Sequence, residues 1–195
     1  GAAVGVAVRG GARRALVEGE RAGTGVLGAG RAGHDWGRVL HTLGPCVKIV
    51  APEAVRPFVK KGKKNDPADA AALCEAASRP AMMFVPVKTI EQQGILALHS
   101  ARSLLVKQQT MLANAMRGLA TEFGLTVPQG IGRLEELLAL VDADKTFPEQ
   151  ARQVFTGLFG QCCTLAASIR AFEERIVTHA RQDETARRLA TIPGV

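Results

Sequence analysis

The sequence predicts an α/β fold that is predominantly helical overall: a small strand–helix–strand unit, then a long antiparallel helical hairpin. Three observations carry this. CVKIV at 46–50 and AMMFVPV at 81–87 are short apolar runs that read as strands, with a helical pattern at 66–78 between them. Residues 90–123 and the stretch after Pro148 each carry apolar residues at alternating spacings of three and four. Of the 195 residues, 47% are hydrophobic and 22% charged, near globular averages, which excludes a disordered polymer for most of the length.

Taken in order, residues 1–37 differ from the rest. They hold more than half of the 21 glycines, and no Asp precedes Asp35. Glycine costs about 1 kcal/mol per helical residue relative to alanine, so the stretch 1–33 is predicted to resist regular structure and be poorly ordered. GAGRAG at 28–33 has the outline of a phosphate loop but lacks the Lys-Ser/Thr of a P-loop and a convincing strand ahead of it. Trp36, Val39, Leu40 and Leu43 then follow helical spacing until Gly44-Pro45 ends the helix. Strand, helix and strand within about 40 residues predict a parallel, right-handed βαβ crossover from 46–50 to 81–87.

The first long helix has its predicted seam at Leu98, Ala101, Leu105, Gln108, Leu112, Ala115 and Leu119, with Gln108 as a polar break. A short helix is predicted over 131–141. The second long helix follows Phe147-Pro148, with its seam at Phe155, Leu158, Cys162, Leu165, Ile169, Phe172 and Ile176. At 1.5 Å per residue each long helix spans about 50 Å. Neither can bury its seam alone, so they pair with each other, with a second chain, or both. The domains expected are therefore 1–33, 34–88, a helical coiled-coil region 89–186, and 187–195 as the start of a further domain.

Composition narrows function. Lys and Arg number 25 against 18 Asp and Glu, a formal charge of +7, which favours a polyanionic partner. Aromatics are only 4%, too few for a base-stacking single-strand binder. No stretch approaches the roughly 20 apolar residues of a membrane span, and the N-terminus has no signal-peptide pattern. Cys46, Cys74, Cys162 and Cys163 have no zinc spacing, and the four His form no metal-spaced cluster. Reduced thiols in a cytoplasmic protein are expected.

The sharpest local feature is KKNDPADA at 63–70. Asp66 and Asp69 are spaced i, i+3 and project from one face of a first helical turn. Two such carboxylates bind a divalent metal when others on neighbouring strands join them. Capping explains the same residues: Asp66 before Pro67 is a good N-cap, and Asp69 sits at the positive end of the helix dipole. Arg56, Lys60, Lys61, Lys63 and Lys64 crowd just ahead. They read as a solvated basic loop or as phosphate contacts beside a metal.

VRPFVKKGKKNDPADA at 55–70, RPAMMFVPVKTIEQQ at 79–93 and RRLATIPG at 187–194 resemble the DEDD-type transposases of bacterial insertion sequences, insertion-sequence family one-ten. The resemblance runs from about His34 to Val195. It implies a RuvC-like, RNase H-type domain with a long coiled coil, acting on DNA in strand cleavage and joining. It also implies Mg²⁺ on four acids, a serine from a later domain, an element-encoded guide RNA as a partner in some members, a homo-oligomer, and a bacterial, nucleoid-associated location. Asp66 and Asp69 match the third and fourth acids as catalytic and metal-binding residues. The G-x-D-x-x-K context of the first is missing, and the slot of the second falls near Gly28. Glu18 and Glu20, the only acids upstream, stand in the wrong context.

The expectation is therefore a partial RuvC-like domain in a transposase fragment, N-terminally frame-shifted, C-terminally cut off and inactive by itself. Two alternatives stand beside it: a non-catalytic nucleic-acid-binding and oligomerisation module, and a Holliday-junction-resolvase-like nuclease.

Overall fold

The structure is a computed structural model and describes residues 4–5, 24–30, 32–42, 46–59 and 66–194. The chain divides into two compact units, Gly1–Ile90 and Glu91–Val195. It is α/β in its first unit and predominantly helical as a whole.

In the first unit, strands β1 (Val4–Gly5), β2 (Thr24–Gly28), β3 (Cys46–Val50) and β4 (Phe84–Val85) form one sheet in that order. β1, β2 and β3 run parallel, and β2 pairs with β3 from Thr24↔Cys46 to Gly28↔Val50. Helix α1 (Gly33–Thr42) makes the crossover between β2 and β3. Strand alternation then divides the sheet between two helices. Leu27, Val47 and Ile49 face α1, where Trp36 and Leu40 cover them. Val26 and Val50 face the other way, onto Ala72 and Ala76 of α3 (Asp66–Ala77).

Two expectations change here. Residues 24–28 form a strand where the glycine content predicted none. Parallel pairing along the full length of β3 supplies the order that propensity withholds. GAGRAG is thus preceded by a strand after all. The glycine at its end has a packing reason: a Cβ on Gly33 would stand 2.4 Å from the Gly28 carbonyl oxygen, a backbone atom that cannot move aside. Apart from Val4–Gly5, residues 1–23 lie outside the described residues.

The predicted crossover from β3 to β4 is also corrected: β4 pairs antiparallel, with Val50↔Phe84 and Ile49↔Val85. The chain leaves β3 through α2 (Pro52–Val55), a 3-10 turn (Arg56–Phe58) and α3. Ala76 and Ala77, in the last turn of α3, share a cluster with Val50 and Phe84. The helix therefore delivers the chain to the C-terminal end of β3, and β4 must run back along it. The strand is also two residues long, not seven.

The second unit is built on α4 (Ile90–Glu122) and α6 (Glu149–Gln182), with α5 (Leu134–Ala143) between them and α7 (Glu184–Leu189) after. Cross-links fix the direction of the long pair. Arg102 holds the Glu173 carboxylate at 2.5 Å, and the Gln109 side-chain amide donates to the Cys162 carbonyl at 3.4 Å. Partners descend along α6 as α4 ascends, so the helices are antiparallel. Ala113, Met116 and Ala120 of α4, Leu134, Leu137 and Val141 of α5, and Phe155 and Cys162 of α6 form one core with Phe147.

On α6 the predicted seam holds: Phe155, Cys162 and Ile169 are buried and the positions between them half-buried. On α4 it holds at Leu98, Ala101 and Leu105, which are half-buried, and then slips by one residue. The buried set is Gln109, Ala113, Met116 and Ala120, while Gln108, Ala115 and Leu119 are exposed. A strict seven-residue count assumes 3.5 residues per turn, and a helix of 3.6 drifts from it by about 20° per heptad.

Candidate functional site

Asp66 and Asp69 sit in the first turn of α3. Asp69 is half-buried, and the side chain of Asp66 lies outside the described residues. Leu73 follows at i+4 from Asp69 and i+7 from Asp66, so the three share one face of the helix. That face meets the end of β2. A Cβ on Gly28 would stand 3.7 Å from a Leu73 methyl group. Position 28, near which the sequence resemblance puts the missing second acid, therefore looks onto the helix that carries Asp66 and Asp69. Nothing at Gly28 supplies a ligand.

Among the described residues, no three His, Cys, Asp or Glu side chains come together to hold a metal ion. Mg²⁺ demands near-octahedral oxygen ligands and gives up water reluctantly, so two carboxylates from one helical turn do not fit it unaided. Arg56 opens the 3-10 turn after α2 and is exposed. Lys60, Lys61, Lys63 and Lys64, the rest of the predicted phosphate-contacting loop, lie outside the described residues, as do Glu18 and Glu20.

A second constellation was not legible in the sequence. His34, Gly37 and Arg38 lie along one face of α1 and clasp the segment after β4. The Lys88 backbone N–H donates to His34 Nδ1 at 3.3 Å, and the Lys88 Nζ is 2.8 Å from His34 Nε2. Arg38 donates to the Lys88 carbonyl at 2.9 Å, and its guanidinium stands 3.6 Å from Asp35. A Cβ on Gly37 would meet Val87 and Ile49 at 3.1–3.2 Å, so the segment lies tight against the helix. The partners are 50 and 54 residues apart in sequence, and no local pattern announces them.

No helix among the described residues is long and apolar enough to cross a membrane.

The chain is 48% identical over 163 residues to "Putative transposase y4pF/y4sB" of Sinorhizobium fredii, which covers 83% of this chain and 42% of that protein. It is 40% identical over 162 residues to the transposase for insertion sequence element IS1328 of Yersinia enterocolitica, covering 83% of this chain and 48% of that one. It is 38% identical over 168 residues to the transposase for insertion sequence element IS1111A of Coxiella burnetii, covering 85% and 46%. The chain thus spans less than half the length of these relatives. No protein-family profile matches it.

The clasp has a pH dependence of definite sign. Burial, then the charges of Lys88 and Arg38, hold the His34 pKa below its ordinary 6.5. A neutral imidazole offers Lys88 one lone pair, and a protonated one offers none. Because the folded value is the lower one, the unfolded chain binds the proton more readily. The contribution of His34 to stability is present above about 6.5 and is lost as pH falls below it. His34→Gln removes the titration. The stability advantage of the native chain over this variant, measured by urea unfolding from pH 8 down through this window, is expected to shrink; a constant difference would show that His34 does not titrate against the fold.

Proposed function

We propose that this chain is part of a bacterial insertion-sequence transposase and that its partner is DNA. The observation that carries the reading is its 38–48% identity to three proteins named as transposases, over more than four-fifths of its own length. In this reading the first unit is a RuvC-like, RNase H-type domain. Asp66 and Asp69 are two of its four acids, and Arg56, Lys60, Lys61, Lys63 and Lys64 contact phosphates. An element-encoded RNA is a second nucleic-acid partner. The parallel β2–α1–β3 crossover and the meeting of position 28 with α3 support it.

DNA contact through the basic loop has a quantitative test. Duplex binding is expected to be salt-dependent and sequence-independent. Changing Lys60, Lys61, Lys63 and Lys64 to Ala should flatten the slope of log K against log salt by up to about 3.6, four phosphate contacts' worth. An unchanged slope would remove the loop from the interface.

The acid cluster is tested by completing it. As it stands the chain should bind Mg²⁺ too weakly to register by calorimetry and should not cleave supercoiled plasmid. Mg²⁺ supplies Lewis-acid and water-activating chemistry where it is held; two carboxylates on one turn do not hold it. Gly28→Glu places a third carboxylate at the end of β2, toward the Asp69 face of α3. This variant is expected to gain divalent-cation binding, and Asp69→Ala in the same background to lose it. No gain in a folded Gly28→Glu variant would separate position 28 from the acids.

The helical unit is proposed to be a coiled coil that self-associates. Leu104 and Met111, one heptad apart on α4, are 55% and 69% exposed. Beside them an open groove of about 610 Å³ runs between α4 and α6, lined by Met111, Leu112, Leu165 and three uncharged polar residues. Sedimentation of the whole chain should show concentration-dependent association, and Leu104→Asp with Met111→Asp should return it to monomer with its helicity intact. A native chain that stays monomeric across micromolar concentrations contradicts this assignment.

A further inference from the structure

Two segments stand out for carrying cations and no acid. From residue 54 to 65 there are five cations and no acid, and from 92 to 121 three cations and no acid. Those eight cations compare with a formal net charge of +7, the other seventeen Lys and Arg being offset by eighteen Asp and Glu elsewhere in the chain. The first is the basic loop. The second is nearly the whole of α4, which no reading of the basic loop explains.

One flank of α4 beside the buried stripe shows how that segment is presented. At 3.6 residues per turn, His99, Ser103, Lys107, Asn114 and Arg117 fall within about 80° of the helix circumference, roughly a third of a turn from the buried Gln109–Ala120 stripe. The first four are exposed and Arg117 is half-buried. Arg102, the remaining cation, is engaged by Glu173 across the hairpin and is not part of this face. The Arg117 guanidinium donates to the Asn114 side-chain oxygen at 2.6 Å and to the Gly130 carbonyl at 3.3 Å. This fixes the amide of Asn114 so that its oxygen is spent and its NH₂ remains as a donor. The result is a face about 27 Å long that offers donors and positive charge and carries no carboxylate.

We propose that this face of α4 lies against the phosphate backbone of duplex DNA, as a second contact surface besides the basic loop. The proposal rests on DNA being the partner, as inferred above. A phosphodiester backbone accepts hydrogen bonds and repels carboxylates, which is the complement of what the face presents. A straight helix meets a curved backbone at few points, so Lys107 and its neighbours account for one or two phosphate contacts, not for the whole affinity.

The test uses the full chain and a fluorescently labelled duplex of random sequence, read by anisotropy across salt. Ser103→Glu, Lys107→Glu and Asn114→Glu together load the face with acid at exposed positions. A control, Gln150→Glu, Thr156→Glu and Arg181→Glu on exposed positions of α6, makes the same change in net charge elsewhere. The face variant should bind about tenfold or more weakly at low salt and flatten the salt slope by about 0.9, the share of one phosphate at Lys107. The control should match the native chain, and circular dichroism should show all three equally helical. A face variant that binds like the native chain while the basic-loop variant is weakened overturns this surface and leaves DNA as the partner. An equal loss in the control also overturns it, because net charge and not the face would be responsible. A native chain with no salt-dependent duplex binding removes the DNA partner itself, and this surface with it.

Discussion

An isolated amphipathic helix cannot keep its apolar stripe from water, and in the helical unit this single requirement determines the rest. Met116, Leu134, Leu137, Val141 and Phe155, drawn from three helices, are each no more than 1% exposed. Full burial of such a side chain contributes about 1.5–3 kcal/mol. Short α5 is held in place by this core, because its own length is too small for stable helicity in water. Once it is there, its C-terminal carbonyls need partners. Arg152 of α6 supplies them, donating to the carbonyls of Val141 and Asp144 with its guanidinium near the ring of Phe147. Phe147 in turn packs edge-on against Phe155. Capping, aromatic packing and chain reversal all follow from where the stripes meet.

The first unit depends on a closer constraint. α1 can cover Leu27, Val47 and Ile49 only if it starts almost on top of the end of β2, and Gly33 permits this by having no side chain to strike the Gly28 carbonyl. The same closeness, repeated at Gly37, brings the segment 87–88 within reach of His34 and Arg38. One glycine-rich turn therefore positions both the clasp and the end of β2 at which position 28 faces α3.

What the sequence made legible divides along the range of the interactions involved. Helix α6 was readable along its stripe, which is continuous and begins after a clear break at Pro148. α4 was readable in extent, but its buried face was displaced by one residue beyond Leu105, since periodicity alone does not say whether 3.5 or 3.6 governs. β2 was missed because glycine hides a strand whose order comes from its neighbours. The direction of β4 was misjudged because a strand–helix–strand pattern does not show at which end of the sheet the helix delivers the chain. In the candidate site, Asp66, Asp69 and Arg56 stood out as a local cluster. The clasp of His34, Arg38 and Lys88 did not, since it joins residues that only the tertiary fold brings together. That Gly28 faces α3 is likewise a property of the packed sheet and not of the string.

Charge follows a similar logic of locality. At physiological salt, electrostatic influence between exposed groups fades within about 8 Å, so a formal charge of +7 on the whole chain is not what a partner encounters. It encounters patches. Three of the eleven cations of the helical unit are engaged with acids: Arg102 with Glu173, Arg133 with Glu136, and Arg152 with Asp142 and Glu149. Such pairs are close to neutral from outside and contribute little affinity for a polyanion. Lys107 and Arg117 lie on a helix that carries no carboxylate of its own from residue 92 to 121. It is the absence of acid over that length, more than the number of cations within it, that distinguishes the α4 face from an ordinary solvated helix surface.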